Sequence, residues 1–308
     1  MSYQKYKDQV KLMLAILPFV SKEKNFALHG GTAINLFQFN MPRLSVDVDL
    51  TYIPIQDRDT SLANIKQSLD AIKRALEQAY PEMAVEHKKR ESKLMITNKK
   101  ALVKVEVNQI KRGCYTAPSL KNLCIKAQEE FELFCEMQVV ETGHLFGGKI
   151  CAALDRQHPR DLFDISNMLK KEPFSETIKK GFIFYLISSN RPIAEMLKPH
   201  NKEQRGVFEK QFLGMTNEPF SYDEYEEVRS QLIKTIHQAL TNADKLFLLS
   251  IEMGKPDWQL YDFKDFPAVQ WKLMNVERLM VENPKKHLAQ IAVLRAILLG
   301  NENKHNVN

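Results

Sequence analysis

The sequence predicts an α+β protein in which a mixed sheet with helices is followed by a helical domain. Short alternating, β-branched runs are confined to the first half, the sharpest being ALVKVEVNQI from Ala101. From Leu145 onward strand signals nearly vanish and long helical patterns take over. At 308 residues the chain also exceeds the usual ceiling for one hydrophobic core. The expected division is 1–168 for the sheet-bearing domain, 169–300 for the helical domain and 301–308 for a polar tail.

In chain order, the apolar stretch over residues 12–20 lacks a small-residue cleavage site and predicts a short buried helix ending near Pro18. The segment HGGTAINLFQFNMPRLSVDVDLTY then combines a Gly-Gly-Thr turn, a helix expected from Thr32 and a strand carrying Asp47 and Asp49. From residue 59 to 80, Ile65, Leu69, Ile72 and Leu76 recur at helical spacing until Pro81. Three strands follow, in AVEHKK, KLMITN and ALVKVEVNQI; in the last, Val103, Val105 and Val107 form one face and Lys104, Glu106 and Asn108 the other. Helical patterns then occupy FSETIKKGFIFYLISSN, the stretch 222–253, PAVQWKLMNVERLM and an amphipathic segment over 285–299 that includes Leu288, Ile291, Ala292, Leu294 and Leu298.

Hydrophobic residues at 44% and charged residues at 27% are those of an ordinary soluble protein, and no run reaches the roughly 18 apolar residues of a membrane span. A cytoplasmic protein is expected. Cys114, Cys124, Cys135 and Cys151 show no CxxC spacing, so reduced thiols are expected. The net charge of +6 permits a polyanionic partner without demanding one, and the basic clusters at Lys88-Lys89-Arg90, Lys99-Lys100 and Lys111-Arg112 read first as solvated surface.

Residues two apart on a strand share a face, so Asp47 and Asp49 project together and repel unless a cation lies between them. Gly30 and Gly31 allow backbone N–H groups close to an anion, although such a pair alone more often marks a tight turn. Arg43 and Ser45 fall on the carboxylate face, Arg43 to hold the loop or a carboxylate and Ser45 to donate to a phosphate. Glu106 becomes a third carboxylate if its strand lies beside that of Asp47; otherwise it is a solvent-facing partner of Lys104. Lys149, above small residues on a helix, is placed to reach a triphosphate. Arg160, Asp161 and Asp164 open a helix after Pro159, with Arg160 and Asp164 spaced to pair; an ion-pair network joining two helices is the alternative for Asp155, Arg156 and Arg160. His29 is expected to pack or hydrogen-bond at a strand end, and His144 and His158 to cap helices. There is no GxSxG, HExxH or GxxxxGK[ST].

These motifs together resemble the nucleotidyltransferase superfamily, whose signature is a Gly-Gly or Gly-Ser turn followed by a D-x-D strand, and more closely its AbiEii toxin branch. LHGGTAINLF with RLSVDVDL, then VKVEV, GGKICAAL and RDLFDI follow the branch's motif order. FLLSIEMGKPDW and PAVQWKLMN look like its C-terminal helical signature. Fourteen residues separate Thr32 from Asp47, which favours a longer helix and loop over residues 35–42.

The resemblance implies a polymerase β-like fold and Mg²⁺-dependent transfer of a nucleoside monophosphate from an NTP to an acceptor hydroxyl. In that frame Asp47, Asp49 and Glu106 hold metal, while Gly30, Gly31, Thr32, Ser45 and Lys149 seat phosphates. Asp161 positions or deprotonates the acceptor, and Arg43, Lys104, Arg160 and Asp164 support. It further implies a tRNA 3′ end as acceptor, inhibition of translation in phage defence (abortive infection) and a cognate AbiEi-type antitoxin. A small-molecule nucleotidyltransferase and an inactive nucleotide-binding or interaction module are the alternatives.

Overall fold

The computed structural model describes residues 3–172, 174–216 and 218–300. Its first helix, α1 (Tyr3–Val20), runs past Pro18 rather than ending there. A proline so near the C-terminus removes one helical hydrogen bond, and the end is closed by Ser21, whose N–H donates to the Leu17 carbonyl (2.9 Å) and whose hydroxyl donates to the Pro18 carbonyl (3.1 Å). Buried Val10, Met13, Leu14 and Leu17 carry the helix into the core.

The strands are β1 (Phe26–His29), β2 (Asp47–Tyr52), β3 (Ala84–Lys88), β4 (Lys93–Thr97), β5 (Leu102–Val107), β6 (Ser119–Asn122) and β7 (Glu136–Val139). They form one mixed sheet in the order β3-β4-β5-β2-β1-β7-β6. The strand that carries the aspartates is therefore interior, antiparallel to β1 and parallel to β5. All three strands expected after Pro81 are present. β6 and β7, four residues each, were not foreseen, because neither is long enough to show a period of two.

Between β1 and β2 lie α2 (Gly30–Ala33), which begins at Gly30 rather than Thr32, and a π-helical turn, Ile34–Gln38. A loop completes the connection. α3 (Arg58–Ala79) is capped by the Asp57 carboxylate, which accepts from the Thr60 N–H, and it buries the four apolar residues that predicted it. α4 (Ile125–Phe131) joins β6 to β7.

After the last strand come α5 (Thr142–Arg156), α6 (Pro159–Lys171), α7 (Glu176–Ile187), α8 (Ile193–Leu197), α9 (Arg205–Val207), α10 (Tyr222–Ala239), α11 (Asn242–Glu252), α12 (Pro267–Glu282) and α13 (Pro284–Leu299). The expected boundary at 168 falls in the last turn of α6, and the expected tail, 301–308, lies outside the described residues. The pattern over 222–253 divides into two helices, because Thr241 and Asp244 form a capping box that starts α11. On α13 the buried stripe is narrower than expected: His287, Leu294 and Leu298 face inward, while Leu288 is 65% exposed. The cysteines are free, and among the described residues no helix is long and apolar enough to cross a membrane.

α5 and α7 cross at backbone contact. A β-carbon on Gly147 would stand 2.2 Å from the carbonyl carbon of Gly181, and one on Gly181 would overlap the Gly143 carbonyl oxygen. Only glycine fits. Gly147→Ala is therefore expected to cost about 3 kcal/mol of stability in urea denaturation, since backbone on both helices must shift; an unchanged midpoint would contradict this crossing.

Candidate active site

The register of β2 assembles the site. Asp47 pairs with Lys104 and Asp49 with Glu106 on β5, while His29 of β1 pairs with Asp49. Paired residues share a face, so both aspartates, Lys104, Glu106 and His29 project to the same side. Val48, Val103, Val105 and Val107 are buried on the other.

The Gly-Gly turn lies against this face. Gly30 has φ +72, and a β-carbon there would stand 2.4 Å from Asp49 Oδ2; one on Gly31 would meet the Arg43 guanidinium at 2.7 Å and Ser45 Oγ at 3.0 Å. Side chains are excluded so that the turn can approach the acid. The Thr32 hydroxyl, fully buried, donates to the Asp47 carbonyl (2.5 Å) and lies 3.0 Å from the Ser45 hydroxyl. With its one proton committed, Thr32 must accept from Ser45. These hydroxyls fasten the turn to β2, a role that the sequence expectation of phosphate seats did not include. Arg43 and Ser45 line the cleft from the segment just before the strand.

Behind the aspartates runs an ionic chain that is buried except at Arg156. Arg43 grips Asp164 with two bonds (2.8 and 2.6 Å), and Asn35 donates to the same carboxylate (2.9 Å). Lys149 bridges Asp164 (2.9 Å) and Asp161 (3.0 Å), and Arg156 binds Asp161 at 2.5 and 2.9 Å. Three cations and two carboxylates leave one surplus positive charge beside the cleft. Asp164 is thus taken by Arg43, Lys149 and Asn35, and the expected pairing with Arg160 does not form. Lys149, 6% exposed, is a bridge between carboxylates rather than a free point charge. Burial alone would raise the Asp161 carboxyl, but the Lys149 ammonium and the Arg156 guanidinium hold it well below the usual range. That makes Asp161 a poor proton acceptor. Burial opposes and Arg43 and Lys149 prevail at Asp164, whose pKa is likewise lowered.

Asp49 shows the opposite balance. Its carboxylate is open to the cleft but crowded by protein at the cleft floor; that crowding, with the neighbouring Asp47 charge, pushes it up to about 6. Glu106 faces the same side, half-exposed, and pairs with Lys93 (3.1 Å) rather than Lys104. No group of three His, Cys, Asp or Glu among the described residues is disposed to hold a metal ion. The Asp47–Asp49 pair remains a fitting two-carboxylate seat for a hard cation, because Mg²⁺ is commonly held by one or two carboxylates and completed by substrate phosphates.

Two chambers meet at Asp49. One, about 380 Å³, is lined by Gly31, Ser45, Asp47, Lys104, Arg156 and Arg160. Among the described residues Lys104 and Arg160 form no ion pair. The other, about 300 Å³, is lined by His29, Lys111, Gly148, Ala152, Ser189 and Met196. His29 hydrogen-bonds Tyr185 (3.1 Å) and the His144 carbonyl (3.4 Å), and burial lowers its pKa to about 4, so it is neutral at physiological pH. His158 caps α6 as expected, whereas His144 packs inside α5 among Tyr115, Phe184 and Tyr185. Arg112 is buried rather than part of a basic surface. The Arg156–Asp161 pair joins α5 to α6, as the ion-pair alternative expects, whereas sequence reasoning did not place Lys111 or Tyr185 at the site; each arrives from a separate element, and no local pattern marks it.

A mixed sheet that presents two aspartates beside a Gly-Gly turn, with cationic walls around them, defines a nucleotidyltransferase class of site. A family model described as "Nucleotidyl transferase AbiEii toxin, Type IV TA system" matches residues 11–275. The chain belongs to that family, and is accordingly a nucleotidyltransferase of the toxin type. Among solved structures it is similar to MenT4, a nucleotidyltransferase toxin from Mycobacterium tuberculosis H37Rv, at a TM-score of 0.63 and 12% identity, over 88% of this chain and 93% of that one. At that identity the likeness speaks for the shared fold. No curated protein matches the sequence.

Two measurements check the electrostatics. Removing the Asp164 carboxylate (Asp164→Ala) leaves Arg43 uncompensated and Lys149 with one partner, and is expected to cost about 3–5 kcal/mol in denaturant unfolding; a loss under about 1 kcal/mol would contradict the network. Asp49 contributes with the other sign. Its folded pKa of about 6 lies above the ordinary value near 4, so its contribution is increasingly unfavourable as pH rises from about 4 through 6. In EDTA, Asp49→Asn should therefore stabilise the protein more at pH 7.5 than at pH 5; an equal effect at both would refute the strained carboxylate.

Proposed function

We propose that the protein transfers a nucleoside monophosphate from an NTP to the 3′ end of tRNA, releasing pyrophosphate and inhibiting translation in phage defence. The observation that carries this is the strand-borne Asp47–Asp49 pair at the junction of a cationic and a less charged chamber. The cationic chamber suits a triphosphate. Lys104 and Arg160 would neutralise it directly, the Gly30–Gly31 backbone would approach it, and the surplus charge of the ionic chain would act from behind. Arg156, 58% exposed at its side chain although bound to Asp161, can turn one face to the substrate.

Asp47 and Asp49 would hold one or two Mg²⁺ ions, which when bound supply charge stabilisation at the attacking and leaving oxygens. Glu106, in register with Asp49, would accept the proton of the acceptor hydroxyl. Asp161, too weakly basic for that task, positions Lys149 and Arg156. Residues 1–168 are proposed as the catalytic domain and 169–300 as the helical domain that cradles the acceptor; Ser189 and Met196 bring the latter to the cleft. Membership of a type IV toxin–antitoxin family implies a cognate antitoxin, and the setting we assign is the cytoplasm.

Incubation with Mg²⁺, each of four α-³²P-labelled NTPs and total tRNA tests the reading. Label is expected on tRNA, and Asp47→Asn or Asp49→Asn should reduce it at least about a hundredfold, the equivalent of roughly 3 kcal/mol. Full activity in Asp49→Asn would sink the assignment.

A further inference from the structure

Lys111 has no role in that scheme. It stands on the turn after β5, where the Asn108 side chain accepts from the backbone N–H groups of Ile110 (3.0 Å) and Lys111 (2.8 Å) and fixes the turn. Its ammonium lies over the Tyr185 ring, 5.1 Å from the centroid. Among the described residues it meets no carboxylate. Tyr185 in turn hydrogen-bonds His29, the neighbour of Asp49 across the strand pair. Lys111 and Asp49 also line one small chamber of about 160 Å³, together with Asn108, Glu106 and Tyr185. An anion on Lys111 is therefore within one nucleotide's reach of the carboxylate pair.

Among the described residues, the two chambers share Asp49, Lys149 and Arg156 and differ in the unpaired cations that each has to itself, Lys104 and Arg160 on one side and Lys111 on the other. On the Arg43 side, Lys104 and Arg160 answer a triphosphate of several negative charges. On the His29 side Asp49 is the seat assigned to the metal, and the other charged groups apart from Lys111 are paired: Lys149 with Asp161 and Asp164, Arg156 with Asp161, and Asp155 with Arg191 (2.8 Å). One unpaired cation remains, matched to one negative charge. The His29 ring is taken up by Tyr185 (3.1 Å) and the His144 carbonyl (3.4 Å). Ala152, Gly148 and Met196 supply an apolar wall beside it.

We propose that the chamber on the His29 side is the acceptor subsite for a polynucleotide 3′ end, with Lys111 binding the phosphodiester that precedes the accepting ribose. The inference rests on the nucleotidyl-transfer reading and narrows its acceptor. A polynucleotide brings the single negative charge that Lys111 lacks, whereas a cationic small molecule of the aminoglycoside kind would leave it unpaired. Lys111 is a binding residue here. It holds no proton in the reaction.

The test separates this inference from the reading beneath it. The full-length protein is titrated with a 5′-fluorescein-labelled single-stranded RNA oligonucleotide ending in a 3′-hydroxyl, and with the same oligonucleotide carrying an uncharged methylphosphonate at its last linkage. Wild type should bind the charged form about tenfold more tightly, and Lys111→Gln should lose that preference while Lys111→Arg keeps most of it. Binding of an NTP to Lys111→Gln, followed by calorimetry, should be unchanged. Equal discrimination in Lys111→Gln and wild type, weakened NTP binding in that variant, or no binding of either oligonucleotide by wild type would each overturn the subsite. The anisotropy readout needs no turnover, so an absence of labelled product, which would count against the transfer reading, leaves this comparison decisive. Thermal unfolding of Lys111→Gln at the wild-type midpoint, expected for a partly exposed unpaired residue, keeps a folding defect from mimicking the result.

Discussion

The site depends on one buried carboxylate. Asp164, with no solvent exposure, receives Arg43 from the loop before β2, Lys149 from α5 and Asn35 from the turn after β1. A carboxylate in so dry a place is tolerable only because three donors converge on it. Arg43, so fixed, fills the space that a side chain on Gly31 would need. Arg43, the glycine turn that rests on it and Lys149 thus meet at a single ion cluster on α6.

Against that settled cluster stands an unsettled one. Asp161 and Asp164 lie in surroundings that reward ionisation, whereas Asp49, on the same cleft, lies where ionisation is penalised. The fold spends its cations on the rear pair and leaves the front pair short. Such separation of environments assigns different tasks to chemically identical side chains. The rear carboxylates hold geometry, and the front ones present charge that a substrate complex can use.

Local strand chemistry was the most legible part of the sequence. The alternation of Val103, Val105 and Val107 fixed the face of Glu106, and a spacing of two fixed that of Asp47 and Asp49; the register then brought them together. The long helix before Pro81 was equally plain. What could not be read was which partner each polar group would choose. Thr32 and Lys149 carry chemistry suited to phosphate, yet burial and near neighbours commit them to protein groups more than ten residues away in the chain. Pro18 did not stop α1, because tertiary packing outweighed one missing hydrogen bond. Lys111 and Tyr185 reach the cleft from two different elements, and proximity of that kind leaves no trace in spacing.

The crossing of α5 and α7 has a mechanical consequence. Where Gly143 and Gly147 meet Gly181, main chain rests on main chain with no side chain between to yield. Side-chain layers absorb small displacements by changing rotamer; a backbone contact transmits them. α5 carries Lys149 and a wall of the cleft, and α7 carries Tyr185 and is flanked by the later helices. A push on the far side of the helical region therefore arrives at the cleft undamped, as through a rigid strut.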